Sequence, residues 1–336
     1  MNILFTCAGR RHYLIDYFQQ VKPEGSLIVG ADMQSSAPAM ALVDKKYVVP
    51  PVYAANYVDE LIKICQQETI GAIISLNDLE LPILSEHEAQ FKKRGVKLIV
   101  SNNQVTDICF DKWKTVEFAR QIGVETPKTF LNLKSALTAL DDGVLTFPLV
   151  VKPRWGSASI GIEFPEDLEE LKLTYTLLER KLFRSMLAEV SKTDAANAIL
   201  IQEKIDGTEY GLDIFNDLEG NHLAVYVKEK LVMRAGETDK AVLRANETIE
   251  SIGKRIGENL KHVANLDCDI FESNGQYYLL EMNPRFGGGY PFSQMSGANF
   301  PAAIYAMLNG QPMQQAWFRK SYNQTFAKCD ILIPVE

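Results

Sequence analysis

Over residues 1–105 short apolar runs alternate with amphipathic ones, and this pattern limits the fold more than any other feature of the chain. Asn2 to Thr6 reads as a buried strand, a turn follows at Ala8-Gly9, and Tyr13, Leu14, Tyr17 and Phe18 recur at helical spacing. Leu27 to Ala31, Lys46 to Val49, Ala72 to Leu76 and Lys97 to Val100 read as further strands. Helices are expected over Val58 to Gln66 and over 86–94. Strands joined through helices pair in parallel and are covered on both faces, so a Rossmann-like, mostly parallel sheet is expected for 1–105. A dinucleotide site is not expected. The first turn offers only Gly9, the G-x-G-x-x-G spacing is absent, and Asp32 reads as a polar strand end.

A second unit begins near Thr106, where Trp113, Val116, Phe118 and Ala119 form a helical stripe punctuated by Gly123 and Pro127. Phe147 to Lys152 predicts a strand, 153–159 a Gly- and Ser-rich turn, and Ile160 to Phe164 a returning strand. Pro165 opens an amphipathic helical stretch to about Val190. Strands at Ala198 to Ile205, Tyr210 to Asn216 and 222–233 follow, then a helix from Glu247 to about Ala264. A hairpin of Asp267 to Glu272 with Tyr277 to Met282 comes next. The expected organisation is a 1–105 domain, a two-part domain over 106–310 with a small lid at about 127–204, and an extension over 311–336.

Composition narrows the function. Lys and Arg number 35 against 43 Asp and Glu, a net charge of −8 with no basic run, which argues against nucleic acid or an anionic membrane as partner. The five cysteines are scattered without a C-x-x-C pair, so neither a disulfide framework nor a thiolate zinc site is indicated. No apolar run reaches the roughly 18 residues of a membrane span, and Arg10-Arg11 interrupts the amino terminus before any signal-peptide core forms. A cytoplasmic protein is expected. His12, His87, His222 and His262 form no constellation with Cys or Ser and read as structural.

Three segments carry chemistry. Val151-Lys152-Pro153 leads into Arg154-Trp155-Gly156-Ser157-Ala158-Ser159-Ile160-Gly161, a strand lysine beside a turn whose backbone N–H groups suit phosphate. It is no P-loop, because Ile162-Glu163 replaces the Lys-Ser/Thr that such a loop needs. Gln202-Glu203-Lys204-Ile205-Asp206-Gly207-Thr208-Glu209-Tyr210 is a strand running into a short hinge, where main-chain groups and Glu209 suit an adenine and a ribose. Asp267-Cys268-Asp269 and Glu281-Met282-Asn283-Pro284-Arg285 bring hard oxygen ligands for magnesium and a guanidinium for a phosphoryl group. Phe286-Gly287-Gly288-Gly289 then offers backbone donors to an anionic substrate. A two-residue turn at Asn274-Gly275 would set Asp269 opposite Leu280. A three-residue loop at 274–276 sets it opposite Glu281, and this second register is the expected one.

Taken in order, Asp111-Lys112, Val151-Lys152-Pro153, the Gly/Ser loop, Gln202 to Tyr210, Asp269 and Glu281 to Arg285 resemble the ATP-grasp superfamily. The stretch Glu281 to Gly297 is most similar to the carbamoyl-phosphate synthetase large chain and its short, single-unit relatives, amino-acid ligases among them. The resemblance implies a Rossmann-like pre-ATP-grasp domain followed by a two-part ATP-grasp domain, with ATP and magnesium or manganese as cofactors. It implies that Lys112 and Lys152 contact the nucleotide, with 155–161, including Gly156, Ser157 and Ser159, closing over the phosphates. By the same resemblance Glu203 and Ile205 hold adenine through the backbone, and Glu209 the ribose. Asp269, Glu281 and Asn283 hold metal, and Arg285 meets the transferring phosphoryl group. The family's large synthetase is a doubled chain, whereas this sequence has one copy, and Asp269 stands where the family often has Glu or Gln.

The expected function is an ATP-dependent carboxylate–amine ligase proceeding through an acyl phosphate, with small-molecule carboxylate and amine substrates. Self-association into a homo-oligomer stays open. One alternative is a carbamoyl-phosphate synthetase-like enzyme acting on bicarbonate and ammonia. Another is a catalytically silent ATP-binding sensor, disfavoured because both lysines, Glu281, Asn283 and Arg285 are all present.

Overall fold

Five strands open the chain: β1 (Asn2–Thr6), β2 (Ile28–Asp32), β3 (Lys45–Val48), β4 (Ile70–Ser75) and β5 (Lys97–Leu98). In the computed structural model, which describes residues 1–156 and 161–335, they form a parallel sheet in the order β3-β2-β1-β4-β5. The continuous apolar runs have the cause expected of them: β2 is buried at every position because both faces are covered. Tyr57, Leu61, Ile64 and Phe91 pack with Leu4 and Val29 on one side, while Leu14 and Phe18 join Ile3 and Phe5 on the other. The expected helix over 86–94 is two short ones, Leu81–Glu86 and Glu88–Lys92, divided at His87 where the backbone leaves helical geometry (φ −100°, ψ 9°).

A small antiparallel sheet, β6 (Thr129–Phe130), β7 (Leu149–Pro153) and β8 (Ile199–Glu203), is ordered β6-β8-β7. The strand expected to return over Ile160 to Phe164 is reduced to one antiparallel bridge, in which Val151 and Glu163 exchange two 2.9 Å hydrogen bonds; Ile160 lies outside the described residues. The amphipathic stretch begins at Leu168 rather than Pro165, because Asp167 accepts from Glu170 N (2.8 Å) as N-cap. The helix ends at Leu182, and a short turn of helix, Ala188–Ser191, follows.

The remaining strands, β9 (Thr208–Asn216), β10 (His222–Arg234), β11 (Glu237–Leu243), β12 (Ala264–Ser273), β13 (Gln276–Asn283) and β14 (Thr325–Ala327), are ordered β13-β12-β9-β10-β11-β14. The loop between β12 and β13 has two residues, not three. Asn274 and Gly275 both have positive φ (52° and 78°), as a type I′ turn requires. The turn therefore supplies no extra residue to gather Asp269 and Glu281 on one face, and any such gathering needs a bulge further along the hairpin.

The chain divides into two compact units. One comprises 1–106, 211–267 and 283–336, and the other 107–210 and 268–282. Within the first, Phe5 and Phe18 share an apolar core with Phe215, Tyr226, Phe286, Tyr290 and Phe300. Phe18 meets Phe286 edge-on at 6.2 Å, and Phe215 stacks on Phe300 at 4.1 Å. Among the described residues no helix is long and apolar enough to cross a membrane.

Candidate active site

Within the unit of 107–210 and 268–282, Lys152 projects from β7, buried, and its Nζ donates to Gln202 Oε1 (2.9 Å). The pairing follows from register: Val150 lies opposite Gln202, so Lys152, two residues on, shares its face. Gln202 is fixed in turn by donating to Thr129 Oγ1 (2.7 Å). Burial first, and then repulsion from Lys112, lower the Lys152 ammonium from the ordinary 10.5 to about 8 against the opposing effect of Glu281. Two cations and a carboxylate thus act on one another in this unit.

Lys112 is the first residue of the helix Lys112–Gln121, and its Nζ donates to Gly156 O. The turn that brings them together is set by Asp111 and Arg154. Asp111 caps the helix by accepting from Trp113 N (3.0 Å), and it takes a bidentate pair from Arg154 Nε (2.8 Å) and Nη2 (2.7 Å). Arg154 Nη1 reaches Asp194 (2.8 Å), and its guanidinium lies 4.6 Å from the centre of the Trp155 ring. Gly156 is required where it stands: its φ is +106°, and a Cβ there would come 2.9 Å from Leu187 Cδ1.

Past β8, Lys204 to Asp206 adopt no regular structure before β9 begins at Thr208. Glu203 N donates to Lys128 O (2.9 Å), and Ser273 Oγ donates to Asp206 O (2.7 Å). Gly207 passes so close to β12 that a Cβ would fall 2.0 Å from Glu272 O. Glu209 on β9, Asp269 on β12 and Glu281 on β13 are all half-buried.

Within the other unit, Asn283 ends β13, buried, and accepts at its carbonyl from Arg285 N (2.8 Å). Arg285 is buried too. Its Nε (3.2 Å) and Nη2 (2.8 Å) donate to Asp78 Oδ2, and Nη1 donates to Asp267 Oδ2 (3.0 Å). Burial opposes the charge of Arg285, but the two carboxylates more than offset it and raise its pKa above the ordinary 12.5.

Residues 195–328 match the family model described as ATP-grasp in the biosynthetic pathway with Ter operon, and 3–99 match the PylC-like N-terminal domain. The chain carries an ATP-grasp domain. By sequence it is 24% identical to the carbamoyl phosphate synthase large chain of Archaeoglobus fulgidus over 79% of this chain and 25% of that one. It is 28% identical to the D-alanine–D-alanine ligase of Bacillus anthracis over 47% of this chain and 50% of that one. The chain thus spans a quarter to a half of the length of these relatives. Among solved structures, the biotin carboxylase domain of Hydrogenobacter thermophilus 2-oxoglutarate carboxylase, crystallised with MgADP and bicarbonate, superposes with a TM-score of 0.74. That likeness covers 96% of this chain and 73% of that one at 14% identity.

Glu203, Ile205, Glu209, Asp269, Glu281, Asn283 and Arg285 fall inside the ATP-grasp match, whereas Lys112, Lys152 and Gly156 lie between the two matched regions. Ser157 and Ser159 lie outside the described residues. Of the site residues expected from sequence, the structure brings together Lys112 with Gly156, and Lys152 with Glu281. The Glu203 side chain instead faces Lys128, its carboxylate 3.6 Å from Nζ. Among the described residues no group of three His, Cys, Asp or Glu side chains forms a metal cage. Sequence reasoning missed Arg154 and Asp78. The bidentate partner of Arg154 lies 43 residues away, and the Asp78 oxygen that accepts twice from Arg285 207 away, so no local pattern marks either pair.

Proposed function

We propose that this ATP-grasp protein is an ATP- and magnesium-dependent carboxylate–amine ligase that activates a small acid as an acyl phosphate. The observation that carries the reading is the buried Lys152 ammonium, set on a rigid strand, hydrogen-bonded to Gln202 and acting on Lys112 and Glu281. A cation kept in a dry site at a cost is matched to a polyanion that repays the cost on binding. Lys152 and Lys112 then hold ATP phosphates, Gly156 lets the following loop approach them, and the 203–205 hinge offers its backbone to adenine. Magnesium, held by Asp269, Glu281 and Asn283 with phosphate oxygens, would neutralise charge on the transferring group.

Arg285, whose guanidinium is clamped by Asp78 and Asp267, is the residue we assign to the transferring phosphoryl group. A carboxylate oxygen attacks the γ-phosphorus in line and the bond to ADP breaks. An amine nitrogen then attacks the acyl carbon, phosphate leaves, and the nitrogen loses a proton to solvent. The chain supplies position and charge, and no side-chain nucleophile is required.

The test is incubation with ATP, magnesium and a panel of amino acids and small acids, with hydroxylamine present. Acid-dependent ADP release with hydroxamate formation is the expected result. AMP release, or no acid-dependent turnover across the panel, would refute the ligase reading. Stimulation by bicarbonate with ammonia alone would establish the carbamoyl-phosphate alternative.

A further inference from the structure

A run of three glycines has more conformational freedom than any other tripeptide, so a Gly287–Gly289 loop of one shape needs something to hold it. The holding groups are charged. A Cβ on Gly287 would fall 2.1 Å from the carboxylate carbon of Asp267. One on Gly288 would lie 3.1 Å from the Glu237 carboxylate, and one on Gly289 3.2 Å from Lys228 Nζ. At Gly287 the approach leaves no room for a side chain, and at Gly288 and Gly289 a side chain would crowd the charged groups by a few tenths of an ångström.

Beneath the loop is a buried network that the chemistry described above does not use. Asp213, with no solvent exposure, accepts at Oδ2 from Lys228 Nζ and from Ser293 Oγ (2.5 Å), and at Oδ1 from Asn265 Nδ2 (3.1 Å). Asn265 Nδ2 also donates to Arg285 O (3.4 Å). The loop starts just after Arg285, and Ser293 lies on the helix Tyr290–Met295 that ends it. One carboxylate therefore ties both ends of the loop, and the ammonium that neutralises it lies on the side of Gly289 where a side chain would stand. Lys228, Asn265 and Ser293 are each at most 1% exposed. A buried ion pair contributes little net stability compared with apolar residues of the same volume, so conformational definition is the gain left to account for it.

We propose that Asp213, with Lys228, Asn265 and Ser293, is the positioning device that holds the glycine loop and Arg285 in the shape the reaction uses. These residues act through the loop and touch no substrate. The role of the loop toward an anionic substrate rests on the ligase reading; the holding of the loop does not.

Ser293→Ala is the cleanest perturbation, since it cuts one tie without stranding a charge. Ser293→Thr keeps the hydroxyl, and the double variant Asp213→Asn with Lys228→Met removes both charges at once. Amide hydrogen exchange of the full chain should show residues 285–296 exchanging about tenfold faster in Ser293→Ala and in the double variant, with the rest of the protein unchanged. Ser293→Thr should restore protection. In turnover, KM for the activated acid should rise about tenfold in Ser293→Ala while KM for ATP stays within about twofold. Unchanged loop exchange in folded variants, or acceleration spread over the whole chain, would overturn the proposal. If the wild-type chain turned over no acid at all, the ligase reading would fall, while hydrogen exchange would still decide whether the network holds the loop.

Discussion

Replacing Lys152 by Met separates the cost of a buried cation from its use. Its pKa falls from 10.5 to about 8, which at about 1.36 kcal/mol per unit corresponds to about 3 kcal/mol spent keeping the ammonium charged at neutral pH. Methionine of similar length removes that cost, but it also removes the 2.9 Å bond to Gln202 and leaves Oε1 short of a donor, a loss of about 1–3 kcal/mol. The two effects nearly cancel. The ligand-free variant should therefore melt close to the wild type, unlike a typical lost buried charge partner. The sign with pH is opposite to that of a lysine gaining a partner. Because the folded pKa is depressed, the unfolded chain binds the extra proton between about pH 8 and 10.5, so wild-type stability should rise with pH across that window. The rise should be absent in Lys152→Met. Calorimetry of both proteins from pH 7 to 10 measures this, and the upward shift in Tm on adding ATP and magnesium measures the use of the cation. A variant that loses several kcal/mol when ligand-free, or that keeps the full ATP-dependent shift, would refute the reasoning.

Two further perturbations test the scaffold around the lysines. Asp111→Ala removes both a helix cap and the bidentate partner of Arg154, and should cost about 3–5 kcal/mol in denaturant unfolding, with Asp194 keeping the loss toward the low end. Asp111→Asn retains the cap and should cost less. In Gly207→Ala the new Cβ meets Glu272 O at 2.0 Å, so the hinge must shift by about 1 Å, with a stability loss of about 1–3 kcal/mol. Isothermal titration should show about tenfold weaker ATP binding in this variant. Gly95→Ala, which strains a positive φ but meets nothing within 4 Å, should leave ATP binding unchanged and serves as the control.

What could be read from sequence follows from which forces are local. The three inner strands β1, β2 and β4 were legible because burial on both faces makes their apolar runs continuous, and all five parallel strands lie within a few residues of their expected places. β11 went unread because Glu237, Thr238, Asp239 and Lys240 give half of it a polar texture that only pairing with β10 and β14 overrides. The hairpin loop was misjudged for another reason. The wish to gather carboxylates was set above the local chemistry of Asn274-Gly275, which is the strongest short-range signal for a two-residue turn. Lys152 could be picked out by its place at a strand end, but not its depressed pKa, which arises from burial and from charges distant in sequence.

The same division explains why the likeness to the ATP-grasp superfamily was legible and a substrate was not. On the proposed reading Lys112, Lys152 and the 203–209 segment meet demands set by ATP, and those demands are the same whichever acid is activated. Their residue types and order therefore resemble a whole superfamily. By the same proposal the groups that set the shape of the glycine loop answer to one substrate, and they come from Asp213, Lys228, Asn265 and Ser293, which neighbour one another only after folding. Their spacing carries no pattern a sequence reader could recognise. Substrate identity should accordingly track changes beneath and beside the loop, at Glu237 and Lys228 above all, because these two occupy the space that side chains at 288 and 289 would enter. Charge-neutral replacements there should change which acids stimulate ADP release while leaving the affinity for ATP as it was.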